Sequence, residues 1–403
     1  MGHRNVRILM YSHDTFGLGH LRRCRTIAHA LVENISSLHI LIISGSPIAG
    51  AFDFRVRVDF VKIPSVIKLH SGEYKSMVEH IDLDETMEMR RSMIRDTARS
   101  FEPDIMIVDK EPMGLHDELE DTLYELKNAG AILILGLRDV MDSDRLLKQE
   151  WRPKNMVARI DSVYDHIWVY GPESFWNPLD GLKIPGHMQA RLIYTGFLRR
   201  TVPTSAYRHL PTQDDFILIT TGGGGDGAEL LKNALAAYEY DESIPYGAVM
   251  VLGPFMPASD RDEIFDRAEK IGRITVIEFD ALIEKLIVDA KAVVGMCGYN
   301  TFCEYLSFDK RTLYVPRVRP REEQLVRATR AAELGLAKVL TPENASDPAI
   351  MSGALHELIK ADVPSSAGQK GMMNGLDTIV DAVREIIHKS DAPELSVVKG
   401  GIS

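Results

Sequence analysis

The chain has 403 residues, 45% of them hydrophobic and 26% charged, which is enough for two domains with sizeable cores. Lysine and arginine number 47 against 58 aspartates and glutamates, and the net charge of −11 lacks the electrostatic footprint of a nucleic-acid binder. Three cysteines without metal-ligand spacing, no apolar run of bilayer length and no apolar leader point to a cytoplasmic protein, with peripheral membrane contact left open.

Taken in order, Val6 to Tyr11 reads as a buried strand. A loop, Ser12 to His20, leads into a helix with Leu21, Cys24, Ile27, Ala28 and Leu31 on one face. His39 to Ser44 is the next strand. Gly17 and Gly19 begin a G-x-G, but Arg22 stands where the third glycine belongs. The second strand ends in Ser44-Gly45, with no acid for a ribose, so a nicotinamide dehydrogenase is disfavoured. Phe54 to Ile63 alternates like a strand, and Met87 to Phe101 and Asp117 to Ala129 read as helices. Ile105 to Val108, Ala131 to Leu137, Ile167 to Tyr170 and Leu192 to Thr195 read as strands. Ligands of open α/β sheets bind at the carboxyl ends of strands, where Asp109, Glu111, Arg138 and Asp139 fall. Asp82-Leu83-Asp84 and Asp142-Ser143-Asp144 have D-x-D form, but neither follows a clear apolar strand; both read as solvated acidic loops.

Gly196 to Pro203 has linker character. Residues 1–196 then form one domain, 197–203 the link and 204–374 a second domain, in which the pattern restarts. Phe216 to Thr220 is a strand, Gly222-Gly223-Gly224-Gly225-Asp226-Gly227 a glycine loop, and Ala228 to Tyr238 a helix. No Lys-Ser or Lys-Thr follows, so this is not a P-loop. Four consecutive glycines are costly to order, which favours a ligand contact over a plain turn. Val249 to Leu252, Ile274 to Ile277, Ala292 to Gly295, Thr312 to Val315 and Ala337 to Leu340 are strands, and Asp260 to Ile271 and Ala281 to Asp289 are helices. The alternation predicts parallel sheets covered on both faces. A last helix runs from Gly375 to His388, and 390–403 reads as a loose tail.

One stretch stands out. The β-branched run at Val293 ends in Gly295-Met296-Cys297-Gly298, and a helix starts at once. Thr301 and Glu304 have the spacing of a capping box. Such a turn aims free N–H groups at one point, which holds phosphate without metal or lysine. Further on, Pro320 to Gln324 opens a helix that stops at Gly335, with Glu323 and Gln324 in its first turn.

Phe279 through Gly335 resembles the donor half of GT-B glycosyltransferases, in particular family 28-type enzymes such as the N-acetylglucosaminyltransferase that completes the lipid-linked peptidoglycan precursor. The Gly17-Leu18-Gly19-His20 loop resembles the first loop of the same proteins. The resemblance implies two Rossmann-like, doubly wound α/β domains facing each other across a cleft, with the final helix (375–389) crossing back to the first domain. It implies a nucleotide-sugar donor, with UDP favoured, and an acceptor that is a glycan, a lipid-linked group or a small molecule. No metal and no further cofactor is implied.

Residue by residue, the resemblance puts Cys297, Gly298, Tyr299, Asn300 and Thr301 at the diphosphate, beside the loop of Gly222, Gly223, Gly224 and Gly225. It puts Glu304 on the ribose, Glu323 and Gln324 on the sugar, and Phe279 and Leu282 at the base. Gly17 and Gly19 would face the donor from the first loop. Glu304 cannot fully serve both a cap and a ribose. His20 would lie by the reacting centre and take the acceptor's proton, with Asp109 and Asp139 as rival bases. Arg138 would pair with Asp139 or offset leaving-group charge. Two alternatives stay open: a GT-B-fold nucleotide-sugar hydrolase, and a non-catalytic nucleotide-sugar-binding protein.

Overall fold

The computed structural model describes residues 5–13, 19–68, 74–77, 80–202, 214–223, 225–280, 282–368 and 371–391. Seven strands form the first sheet: β1 (Val6–Ser12), β2 (Leu38–Ser44), β3 (Val58–Lys62), β4 (Ile105–Asp109), β5 (Ile132–Arg138), β6 (His166–Tyr170) and β7 (Leu192–Tyr194). Their order is β3-β2-β1-β4-β5-β6-β7, and every pair is parallel. The second sheet has six strands: β8 (Phe216–Thr220), β9 (Gly247–Val251), β10 (Ile274–Ile277), β11 (Ala292–Gly295), β12 (Thr312–Tyr314) and β13 (Lys338–Val339). Their order is β10-β9-β8-β11-β12-β13, again all parallel.

Both sheets are Rossmann-like, and both reverse direction beside their first strand. That reversal opens a crevice at the carboxyl ends of β1 and β4 in one sheet and of β8 and β11 in the other. The central strands are apolar throughout because helices cover both faces; β4 and β8 are buried along their whole length.

Some elements differ from the sequence expectation for local reasons. The strand expected from Phe54 starts at Val58, because Arg57 takes a left-handed φ of 74° that breaks the extended run. Asp82 and Asp84 are exposed, and Asp82 also caps helix Leu83–Phe101 by accepting from Glu85 N at 2.7 Å. Asp142 is buried, accepting from Arg321 at 3.1 Å and from Glu322 N at 2.8 Å, so it fastens the two halves of the chain together. Among the described residues no metal-holding group of acids, histidines and cysteines occurs, and no helix is long and apolar enough to cross a membrane.

The segment after β7 starts buried, while Arg199, Thr201 and Val202 are exposed. Phe197 and Leu198 are fully buried. Phe197 N donates to Met372 O at 2.7 Å, and Gly375 N donates to Phe197 O at 3.1 Å. The Phe197 ring lies 5.0 Å from both Phe175 and Phe302, centroid to centroid. Helix Gly375–Asp391 packs on helix Gly19–Asn34, where Arg384 Nη2 donates to Asn34 O at 3.0 Å.

Candidate functional site

The crevices of the two sheets face each other and enclose a cleft of about 1260 Å³. That volume suits a ligand larger than an ordinary drug-sized molecule.

On the second-sheet wall, two backbone bends converge because β8 and β11 are neighbours. After β8, Gly222 turns with φ 68°, a conformation that costs glycine little. Phe255 N donates to Gly223 O at 3.0 Å and pins that loop from behind. After β11, Cys297 takes φ 67° and Gly298 caps helix Tyr299–Ser307. The first intrahelical bond is Phe302 N to Gly298 O at 2.9 Å, so the N–H groups of Tyr299, Asn300 and Thr301 precede the ladder. A Cβ built on Gly222 would lie 3.9 Å from Thr301 Oγ1, which measures how closely the bends approach. Together they offer N–H donors and a positive helix end to one anion.

The expected capping box does not form. The helix starts two residues before Thr301, its N-cap is Gly298, and no side chain caps it. Glu304 instead lies 2.7 Å from Arg22 Nη2, across the cleft. Burial raises the Glu304 pKa against the pull of Arg22. Arg22 also donates to Glu284 at 3.1 Å.

On the first-sheet wall, His20 Nδ1 sits 2.5 Å from Asp109 Oδ2 at the end of β4. Arg23 grips the same carboxylate, with Nε at 2.7 Å and Nη2 at 2.5 Å. Burial opposes ionisation of Asp109, but Arg23 and His20 outweigh it and hold the carboxyl well below its usual range. An ionised carboxylate only accepts, so the proton of the short contact belongs to His20 Nδ1. Nε2 then carries the lone pair. Burial lowers the His20 pKa to about 4 despite Asp109, so the ring is neutral at pH 7. A neutral imidazole fixed in one tautomer can accept a proton at Nε2.

A carboxylate on the second-sheet wall is also organised. Arg317 reaches Glu323 at 2.7 Å and Asp226 at 2.5 Å, tying the glycine loop to the start of helix Glu323–Glu333. Gln324 accepts from Arg317 N at 3.0 Å. Of the residues singled out in sequence, His20, Gly19, Gly222, Gly223, Gly225, Phe279, Gly298, Tyr299, Asn300, Thr301, Glu304, Glu323 and Gln324 line the cleft.

Others do not. Asp139 is fully buried and gives both oxygens to Arg327, at 2.8 and 2.7 Å, and among the described residues no hydrogen bond or ion pair joins it to Arg138. Asp109 is outside the cleft lining, and its carboxylate is held by Arg23 and His20. The Cys297 side chain is buried in the core, and the Cys297 carbonyl accepts from Arg327 at 3.0 Å. Leu282 is outside the cleft lining, to which its neighbours Phe279, Asp280 and Ile283 belong. Gly17 and Gly224 lie outside the described residues.

Sequence reasoning missed Arg23, although its place one helical turn after His20 was a usable signal. It missed Arg317, although Glu323 is only six positions away, and Arg327, whose partner Asp139 is 188 positions away and carries no local signal.

No family model matches the chain, and no curated protein matches it in sequence. Solved structures do. The glycotransferase of kitacinnamycin superposes with a TM-score of 0.63 at 15% identity, over 96% of this chain and 99% of that one. MurG of Acinetobacter baumannii gives 0.58 at 12% identity, over 94% and 99%. The UDP-GlcNAc 2-epimerase of Neisseria meningitidis, bound to UDP-GlcNAc, gives 0.59 at 14% identity, over 94% and 100%. The likeness spans both sheets, and the fold is GT-B-like: two Rossmann-like domains across a cleft.

Proposed function

We propose that the chain is a glycosyltransferase that moves a sugar from a UDP-linked donor to an acceptor hydroxyl by direct, inverting displacement. In this reading residues 1–196 hold the acceptor, 204–374 hold the donor, and 197–203 are the hinge. The observation that carries it is the opposition of a neutral, Asp109-fixed His20 to the paired bends at Gly222–Gly223 and Gly298–Thr301.

His20 Nε2 would take the acceptor proton as that oxygen bonds the anomeric carbon. The bond from that carbon to the diphosphate oxygen breaks, and its electron pair leaves with the diphosphate. The N–H groups of the two bends are already aimed at that charge, so little reorganisation is needed as it develops. Glu304 would accept the ribose hydroxyls after parting from Arg22. Glu323 and Gln324 would meet the sugar.

A thermal-shift panel of nucleoside diphosphates and nucleotide sugars tests the donor half, since a specific ligand stabilises the fold by mass action. Stabilisation by UDP and UDP-sugars above other nucleotides supports the reading, and its absence removes it. The likeness to a UDP-GlcNAc 2-epimerase supports a second reading, epimerisation of the nucleotide sugar. Product analysis without acceptor separates the activities: an epimer for the second reading, free sugar for hydrolysis, and unchanged donor for the transferase.

A further inference from the structure

Among the described residues Arg138 is a cleft guanidinium with no ion pair, as is the exposed Arg319. Arg138 ends β5, next to β4 and its Asp109, and lines the cleft on the His20 wall. Among the described residues it makes no hydrogen bond and no ion pair, and its Nε is buried without a partner. Most acids around it are committed, but Glu323 keeps one buried oxygen, Oε2, without a hydrogen-bond partner and is the acid whose charge acts most on Arg138. Asp109 is held by Arg23 and His20, and Asp139 by Arg327. Glu111 pairs with Lys110 at 2.9 Å. Asp142 and Glu150 share Arg321. Across the cleft, Glu323 bonds Arg317. Lys154 lines the same wall and likewise has no anion among the described residues.

Arg138 is half-buried on the cleft wall, and that desolvation lowers its pKa to about 10. A planar guanidinium is the side chain best shaped to receive a carboxylate or phosphate in two parallel bonds. The diphosphate is accounted for on the opposite wall, at the two bends.

Resting on the transferase reading, we propose that Arg138 is a specificity-determining residue that receives a carboxylate or phosphate carried by the substrate beside the reacting centre, separate from the nucleotide's diphosphate. Two sources supply that chemistry: a carboxylate on the donor sugar, or an anionic group on the acceptor. The acid completes the charge balance of the wall, and neutral analogues leave Arg138 as unpaired as it is in the empty cleft.

The test is calorimetry on the full chain and on Arg138→Ala. UDP itself should bind both with affinities within about twofold. In the first arm, UDP-glucuronate is compared with UDP-glucose. In the second, the UDP-saturated protein is titrated with glucose 6-phosphate and with glucose. A preference of about tenfold or more for the anionic probe in either arm, lost in Arg138→Ala, supports the proposal and identifies the source. No preference in either arm, or a tenfold loss of UDP affinity in the variant, overturns it. Wild-type protein that fails to bind UDP at all refutes the transferase reading instead. Arg138→Ala should unfold no earlier than wild type, because it loses no bond; a lowered midpoint would mark Arg138 as structural and count against the proposal. Arg138→Lys should restore part of the preference.

Discussion

His20 Nδ1 and Asp109 Oδ2 are 2.5 Å apart, and that contact decides which ring nitrogen faces the cleft. In the proposed reading it makes Nε2 the base. His20→Ala should bind UDP as well as wild type while turnover falls by roughly a hundredfold or more. Asp109→Asn should also lower turnover, because an amide no longer fixes the tautomer. Unchanged turnover in His20→Ala removes the imidazole from the chemistry.

The same pair sets a pH dependence. His20 works only when neutral, and its pKa is lowered to about 4. Activity should therefore be lost as pH falls through about 4 and stay flat above it as far as His20 is concerned. An unperturbed histidine would lose it near 6.5. A kcat/KM profile with an acid limb near 6.5 would show that His20 is not desolvated as the closed cleft requires.

Glu304 is held by Arg22 across the cleft at 2.7 Å, so in the proposed reading that ion pair must part for Glu304 to meet a ribose. Glu304→Gln should weaken UDP by about tenfold in calorimetry. Equal affinity would make Glu304 a purely interdomain ion-pair partner.

Arg327 and Asp139 form a fully buried bidentate pair between the halves of the chain. Removing one partner strands the other charge out of water. Arg327→Ala should cost roughly 3–5 kcal/mol of unfolding free energy by denaturant titration. Loss of turnover with unchanged stability in Asp139→Asn would return that carboxylate to the chemistry.

Arg317 fastens the glycine loop through Asp226 and the sugar-side helix through Glu323. Arg317→Ala should raise the donor KM by about tenfold, with a smaller change in kcat, because it loosens binding contacts on the donor rather than the base. A fall in kcat at constant KM would contradict that division.

The fold was legible in the sequence because each central strand is an apolar run closed by glycine or a charged residue, as at Phe216–Thr220 and Ala292–Gly295. The two bends were legible for the same reason. The pairing of charges was not. Asp139 looks available beside Arg138, and its true partner is 188 positions away. The Thr301–Glu304 spacing suggested a cap, but Gly298 starts the helix earlier and Arg22 takes the carboxylate. Helix Pro348–Leu358 was unanticipated although Asp347 and Pro348 are a start signal; Asp347 accepts from Ala349 N and Ile350 N.

The most direct test is the structure of the chain crystallised with UDP. The diphosphate should rest against the N–H groups at Gly222–Gly223 and at Gly298–Thr301, opposite His20, with the ribose on Glu304. A diphosphate lodged elsewhere in the cleft, or bound to one bend while the other faces away, would contradict the account.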